Sequence, residues 1–331
     1  MISKSCVNGS MSRPWKLKSD HMLLVFGSFV QDYVWRCERF ARPGETLVGS
    51  FATGPGGKGS NQAIAAARMG HAVTFLSAVG RDAGALAARA LHADNGSHAH
   101  WIESDAPTAS AGIVVDAQGH NTIVLDLGAN LAIQIADLEE RTHLFDKAEV
   151  LLCQLECAPA ATLHALHFAR ARGIRTMLNP APVMAGAMGR TWLDLVDVLT
   201  PNETEFQALI ARELGHDQII DPVLLDDATL HQLCRRLKVP VVVITLGAHG
   251  VFASTELEHW RLPAEAVKAV DTTGAGDAFN GALAAAMAER KTWTLRQQIC
   301  YASQVAALAV EKPGAALAMP RLLDWQVRFA G

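Results

Sequence analysis

Asp271-Thr-Thr-Gly-Ala-Gly-Asp277, running on into Ala-Phe-Asn-Gly-Ala-Leu-Ala-Ala-Ala-Met-Ala-Glu289, is the stretch on which the reading of this chain turns. The Ala/Leu/Met-rich part has no proline and strongly favours a helix. The preceding Ala266-Val-Lys-Ala-Val270 is expected to run as a short strand. The pattern is then strand, small-residue loop and helix N-terminus. There the backbone N–H groups of Gly274, Ala275 and Gly276 would be unpaired, and with the positive end of the helix dipole they favour an anion such as phosphate. A carboxylate at Asp277 would repel that anion if it served binding alone. It makes sense there as the acceptor of a proton from an attacking hydroxyl. The competing reading makes Asp277 a helix cap, and a short glycine motif does not by itself decide between the two.

Working outward, Gly54-Pro-Gly-Gly-Lys58-Gly-Ser-Asn61 runs into an Ala-rich helix closed by Gly70. The glycines allow close backbone approach, and Lys58 and Asn61 place donors at the helix entrance. The spacing is not that of a Walker loop. Met22–Phe26 reads as a buried strand, with Asp32 in a loop just past its end. Further strands are expected to end at Glu156, at Asn179, at Asn202 and Glu205, and at Thr245 and Gly247. Alternating β and α units predict an α/β fold with a doubly wound, mostly parallel sheet flanked by helices. Polar strand ends along one edge of such a sheet describe a site. Turn-rich segments at about 33–54 and 107–126 predict a separate small antiparallel sheet.

Composition bounds the rest. The 331 residues are half hydrophobic, with 29 Lys+Arg against 33 Asp+Glu, enough for a large core and without the charge excess of a nucleic-acid binder. Six scattered cysteines without a Cys-x-x-Cys pair read as reduced thiols in a cytoplasmic protein. His164 and His167 have helical spacing, yet no acidic third ligand lies near, so they read as a surface helix and not a metal site. No apolar run is long enough for a membrane helix. Residues 1–21 are expected to be a disordered leader or tag, with His21-Met22 as a cloning junction or internal start, which leaves 22–331 as one domain.

Gly56-Gly-Lys-Gly-Ser-Asn61, Asn179-Pro-Ala-Pro182, Pro201-Asn-Glu-Thr-Glu205, Thr245-Leu-Gly247 and Asp271–Asp277 occur in one order that resembles the ribokinase-like (PfkB) family of ATP-dependent carbohydrate kinases. The likeness spans roughly residues 22–328 and is nearest the ribokinase branch, through Gly27-Ser28, Pro43-Gly-Glu-Thr46, Gln154-Leu-Glu156 and Gly128-Ala-Asn130. It implies Asp277 as the base that takes a proton from a sugar's primary hydroxyl, and Gly274, Ala275 and Gly276 as the anion hole for the transferring phosphoryl group. Asp32, Gly57, Lys58, Asn61 and Glu156 resemble the sugar contacts. Asn202, Glu205, Thr245, Gly247, Gly250 and Gly276 resemble the nucleotide site, with Glu205 reaching Mg²⁺ through water. Asp271 and the carbonyls of Thr273, Ala309, Lys312 and Gly314 resemble an activating K⁺ site, although Ala318 stands where the family often has a hydroxyl. The small sheet is implied to be a lid and a homodimer contact.

One departure bears on the substrate. Val30 stands where ribokinases carry an Asn that grips ribose hydroxyls, which opens the choice to a deoxy sugar, another pentose or hexose, or a nucleoside. A nucleoside kinase is the alternative within the fold, against which stand the polar Lys58, Asn61 and Glu156 and an aromatic content of only 6%. A catalytically silent sugar-binding regulator is the alternative outside enzymes; the intact Asp277 and its loop argue against it.

Overall fold

Apolar runs without polar alternation, such as Leu23–Phe26 or Val150–Cys153, must be covered on both faces. The computed structural model, which describes residues 22–183, 189–214 and 220–330, shows how that is done. The expectation for the leader lies outside the described residues. The strands are β1 (Met22–Phe26), β2 (Val30–Arg36), β3 (Ser50–Gly56), β4 (Val73–Val79), β5 (His98–Glu103), β6 (Ser110–Val115), β7 (Asn121–Asp126), β8 (Ala148–Cys153), β9 (Arg175–Leu178), β10 (Val198–Leu199), β11 (Val241–Thr245), β12 (Val251–Ser254) and β13 (His259–Leu262). Nine of them form one sheet in the order β13-β12-β11-β10-β9-β8-β1-β4-β5. From β11 to β5 every pairing is parallel. The chain winds outward from β1 in both directions, the doubly wound topology that places ligands at the strands' C-terminal edge.

Strand periodicity sorts the core into two clusters. Leu23, Val25, Phe75, Leu152 and Val243 pack with the helices Lys58–Arg68, Ala275–Glu289 and Leu295–Ala309. Leu24, Phe26, Leu76, Leu151 and Ile244 pack on the other side with Pro159–Ala171, Glu203–Leu214 and Asp227–Arg236. Truncating any of these fully buried leucines to alanine costs about 2–5 kcal/mol.

The remaining four strands form a second sheet, β3-β2-β6-β7. Its β2–β3 and β6–β7 pairs are antiparallel, and its central β2–β6 pair is parallel. One of its faces is apolar and bare: Trp35 is 42% exposed, Phe51 54% and Val124 73%. Phe51 lies between Tyr33 and Trp35, with ring centroids 6.3 and 5.1 Å away.

Two expectations are corrected. Ala266–Val270 forms no strand, because its end is held elsewhere: Val270 N–H bonds the Val310 carbonyl, just past the Leu295–Ala309 helix, at 2.8 Å. Asp32 lies inside β2 and not in a loop, because β2 starts at Val30.

Candidate active site

The helix Ala275–Glu289 starts without any side-chain cap, on Gly274 in the left-handed region at φ 78°. A side chain there would be strained and would also crowd Ala315. Among the described residues the N–H groups of Gly274 and Gly276 form no backbone hydrogen bond, whereas that of Ala275 reaches the Thr272 carbonyl at 3.2 Å. The expected trio of free amides is therefore two free and one weakly held.

Asp277, in the first turn, is only 8% exposed and does not cap its own helix. Its carboxylate turns to the neighbouring Lys58–Arg68 helix, where Asn61 Nδ2 donates to Oδ2 at 2.8 Å and Gln62 Nε2 donates to Oδ1 at 2.9 Å. The two helices can meet this way because residue 281 is glycine: a Cβ there would stand 2.2 Å from the Gln62 carbonyl oxygen. Burial raises the Asp277 pKa, and Glu156 adds to it, against the lowering pull of Lys58, Gln62 and Asn61. A buried carboxylate poised this way is a better proton acceptor than a solvated one.

Around it stand the sequence-predicted sugar residues. Glu156 is buried; its Oε2 accepts from the Ser28 hydroxyl and from the Lys58 backbone N–H at 3.0 Å. The Lys58 ammonium is half-buried, and although burial works to lower its pKa, Asp277, Glu156 and Glu205 together carry it above the ordinary value. Asp32 is pushed up to about 6 by burial first and by Glu156 second. Gly57 precedes the Lys58–Arg68 helix as its N-cap position. The Asn61 side-chain oxygen is buried without a partner, an acceptor left for a donor from outside the chain. Val30 is also buried, against Ala111 of β6 and Ala109 just before it.

A second group gathers at the ends of β10 and β11. Asn202 bridges to Thr245, and the turn through Gly247 closes with Leu246 N–H on the Gly250 carbonyl at 2.8 Å. Asn202 and Glu205 cap each other. Asn202 Oδ1 accepts the Glu205 N–H at 2.9 Å, and Glu205 accepts the Asn202 backbone N–H at 2.9 Å and its Nδ2 at 3.0 Å. Burial pushes Glu205 up to about 7, despite the Asn202 hydrogen bond and Lys58. The electrostatic coupling of Glu205 to Lys58 and Asp277 joins this group to the first.

A third group ties the loop to the following segment. Asp271 accepts from Thr273 N–H and from Gly314 N–H, both at 2.9 Å. Hydrogen bonds from the Thr273 side chain and from the Gly314 and Thr273 N–H groups outweigh burial and hold its carboxyl below the usual range. The Ala309 carbonyl accepts from Lys312 N–H at 3.4 Å, and Ala318 is buried in a short turn of helix.

His164 and His167 sit on the Pro159–Ala171 helix, His167 exposed, and no cluster of three or more metal-ligating side chains occurs among the described residues. Sequence reasoning missed Gln62, Gln154, Thr200 and Asn280, all buried near Asp277. Their only signal is polarity inside a run of buried alanines or at a strand end.

Residues 20–322 match the pfkB family of carbohydrate kinases. The chain is 37% identical over 321 residues to the ribokinase of Mus musculus, an alignment covering 96% of this chain and 97% of that one. Among solved structures, ribokinase from Giardia lamblia superposes with a TM-score of 0.85 at 27% identity, covering 94% of this chain and 99% of that one. Arabidopsis thaliana ribokinase, complexed with ribose and ATP, gives 0.77 at 26% identity, covering 93% and 98%.

Proposed function

The chain belongs to the pfkB family of carbohydrate kinases, and we propose that it phosphorylates the primary hydroxyl of a small sugar, ribose or a related pentose or hexose, at the expense of ATP. The observation that carries the reading is the Asp277 carboxylate: buried, turned away from its own helix, and beside a loop whose Gly274 and Gly276 amides remain open. Asp277 takes the proton of the attacking hydroxyl. The open amides receive the oxygens of the phosphoryl group in flight.

The sugar would lie among Asp32, Gly57, Lys58, Asn61 and Glu156, its hydroxyls reaching the unpartnered Asn61 oxygen. ATP would lie along Asn202, Thr245, Gly247 and Gly250. The nine-stranded body and the four-stranded lid are read as one kinase domain in the cytoplasm. Glu205 would reach a magnesium ion only through water, because both of its oxygens are held by Asn202. Bound magnesium would offset charge on the phosphates. Asp271 and the carbonyls of Thr273, Ala309, Lys312 and Gly314 fit a potassium ion that steadies the loop. The bare apolar face around Trp35, Phe51 and Val124 supports a homodimer through the lid, where an unaccompanied patch would be costly.

Val30 favours a second reading of the substrate. An apolar side chain packed on Ala109 and Ala111 offers no hydrogen bond to a hydroxyl, so a deoxy sugar such as 2-deoxy-D-ribose loses nothing there. Measuring ATP consumption against pentoses, hexoses, deoxy sugars and nucleosides, with and without potassium, tests the proposal. Turnover with a sugar that disappears in Asp277→Asn is expected. Sugar binding without any turnover would overturn it in favour of a silent regulator, and turnover with nucleosides alone would make the chain a nucleoside kinase.

A further inference from the structure

Gln62 has a place in the site that none of the motifs assigns. It is fully buried, one residue beyond Asn61, and all of its side-chain polar atoms are used. Gln154 Nε2 donates to Gln62 Oε1 at 2.6 Å, while Gln62 Nε2 donates both to Asp277 Oδ1 at 2.9 Å and to Asn179 Oδ1 at 3.0 Å. From there the chain of bonds continues. Asn179 Nδ2 donates to the Thr200 carbonyl at 2.9 Å, the Thr200 hydroxyl donates to Asn280 Oδ1, and Asn280 Nδ2 donates to the Gly276 carbonyl at 2.8 Å. The path starts at the end of β8, crosses the ends of β9 and β10, and closes on the residue next to Asp277. Every member except Asp277 is neutral.

We infer that Gln62 is a positioning residue for the Asp277 carboxylate. It fixes the rotation of that group and holds it in the ionised, proton-accepting form from the protein side, while Asn61 holds the other oxygen on the side of its own unpartnered acceptor. An amide suits this task. Its two N–H groups serve Asp277 and Asn179 at once, and its oxygen is anchored by Gln154. The inference rests on the reading of Asp277 as the base.

The charged groups that face Asp277 are Lys58 on the same helix as Gln62, Glu156 after β8, and Glu205 on the Glu203–Leu214 helix. Lys58 favours the ionised carboxylate and the two glutamates oppose it, so the neutral Gln62 donor weighs on the same side as Lys58. Taking that donor away raises the Asp277 pKa, and the acidic limb of the kcat/KM profile moves to higher pH.

The test uses the full chain with ATP, magnesium and D-ribose or 2-deoxy-D-ribose, comparing wild type, Asp277→Asn, Gln62→Leu and Gln62→Glu across pH. Gln62→Glu keeps the volume and the acceptor for Gln154, so it guards against a simple folding failure of Gln62→Leu. Expected are a fall in kcat of about 10- to 100-fold at neutral pH, an unchanged KM for ATP, and an acidic limb displaced upward, furthest in Gln62→Glu where two carboxyls share the site. Wild-type kcat and an unmoved limb in a folded variant would overturn the inference. So would a loss of equal size at every pH, which is what a merely structural role produces. Those results, with Asp277→Asn inactive, leave the function intact. Full activity of Asp277→Asn, or no turnover by wild type with any sugar, would instead sink the reading of the base and the inference with it.

Discussion

Two helices begin on the same edge of the nine-stranded sheet, and they begin in opposite ways. The Glu203–Leu214 helix is shut: Asn202 and Glu205 exchange three hydrogen bonds across its first turn. The Ala275–Glu289 helix is open. It starts on a left-handed glycine with no cap, and the one acid in its first turn, Asp277, is drawn off to Asn61 and Gln62 of another helix. The same residue types could have capped both. The difference teaches that an acid near a helix start does one of two jobs, and that its partners say which. A carboxylate bonded to its own helix's amides secures an end. One bonded to amides from elsewhere leaves that end free for an anion.

Removing the two acids one at a time gives the largest contrast. Asp277→Asn is expected to cut turnover by about 1,000-fold, within the range for loss of a general base, and Glu205→Gln at least about tenfold less. Steady-state kinetics on folded variants decides; equal losses would erase the distinction between the two termini. Next in size is the contact that brings the second helix to Asp277. Gly281→Val drives a side chain into the Gln62 carbonyl and should cost about 2–3 kcal/mol, seen as a lower denaturant midpoint, with activity falling as Asn61 and Gln62 are displaced.

A smaller effect tests the shut terminus. Asn202→Ala removes a cap and should cost about 1 kcal/mol of stability.

The pH dependence of stability is a further check. Glu205 is raised from 4.5 to about 7 and Asp32 from 3.8 to about 6, so both bind protons more tightly in the folded chain. Their contribution is fully present below the unfolded values and is lost as pH rises through about 6 and about 7. Thermal unfolding midpoints should therefore decline between pH 5 and pH 8, with a shallower decline in Glu205→Gln; an unchanged slope in that variant would remove Glu205 from the account.

Much of this arrangement is legible in the sequence. The parallel strands announce themselves because burial on both faces requires unbroken apolar runs, and the polar residues that end them fall on one edge for the same topological reason. Asp277, Lys58 and Asn61 stand out because glycines surround them. The errors have one physical source. Ala266–Val270 has the composition of a strand, but its end is tied to the Val310 carbonyl, 40 residues further on, and not to a neighbouring strand. Asp32 followed a strand closely enough to look like loop, yet β2 starts after only three intervening residues and carries it into the second sheet. Gln62 and Asn280 could not be told from surface positions in alanine-rich helices, because their partners are separated from them by 117 and 80 residues.

The chain of amides and hydroxyls from Gln154 to Gly276 has one more consequence, which concerns ionic strength. Mobile ions screen charges that face solvent and barely reach neutral dipoles in a sealed interior. The orientation of Asp277 is held by Gln62, through links that carry no net charge. The loop below it is tied down by Asp271, a carboxylate near the surface. Added salt therefore acts on the loop at Asp271 before it can act on the Asp277 carboxylate, and the two halves of the site should respond to it separately.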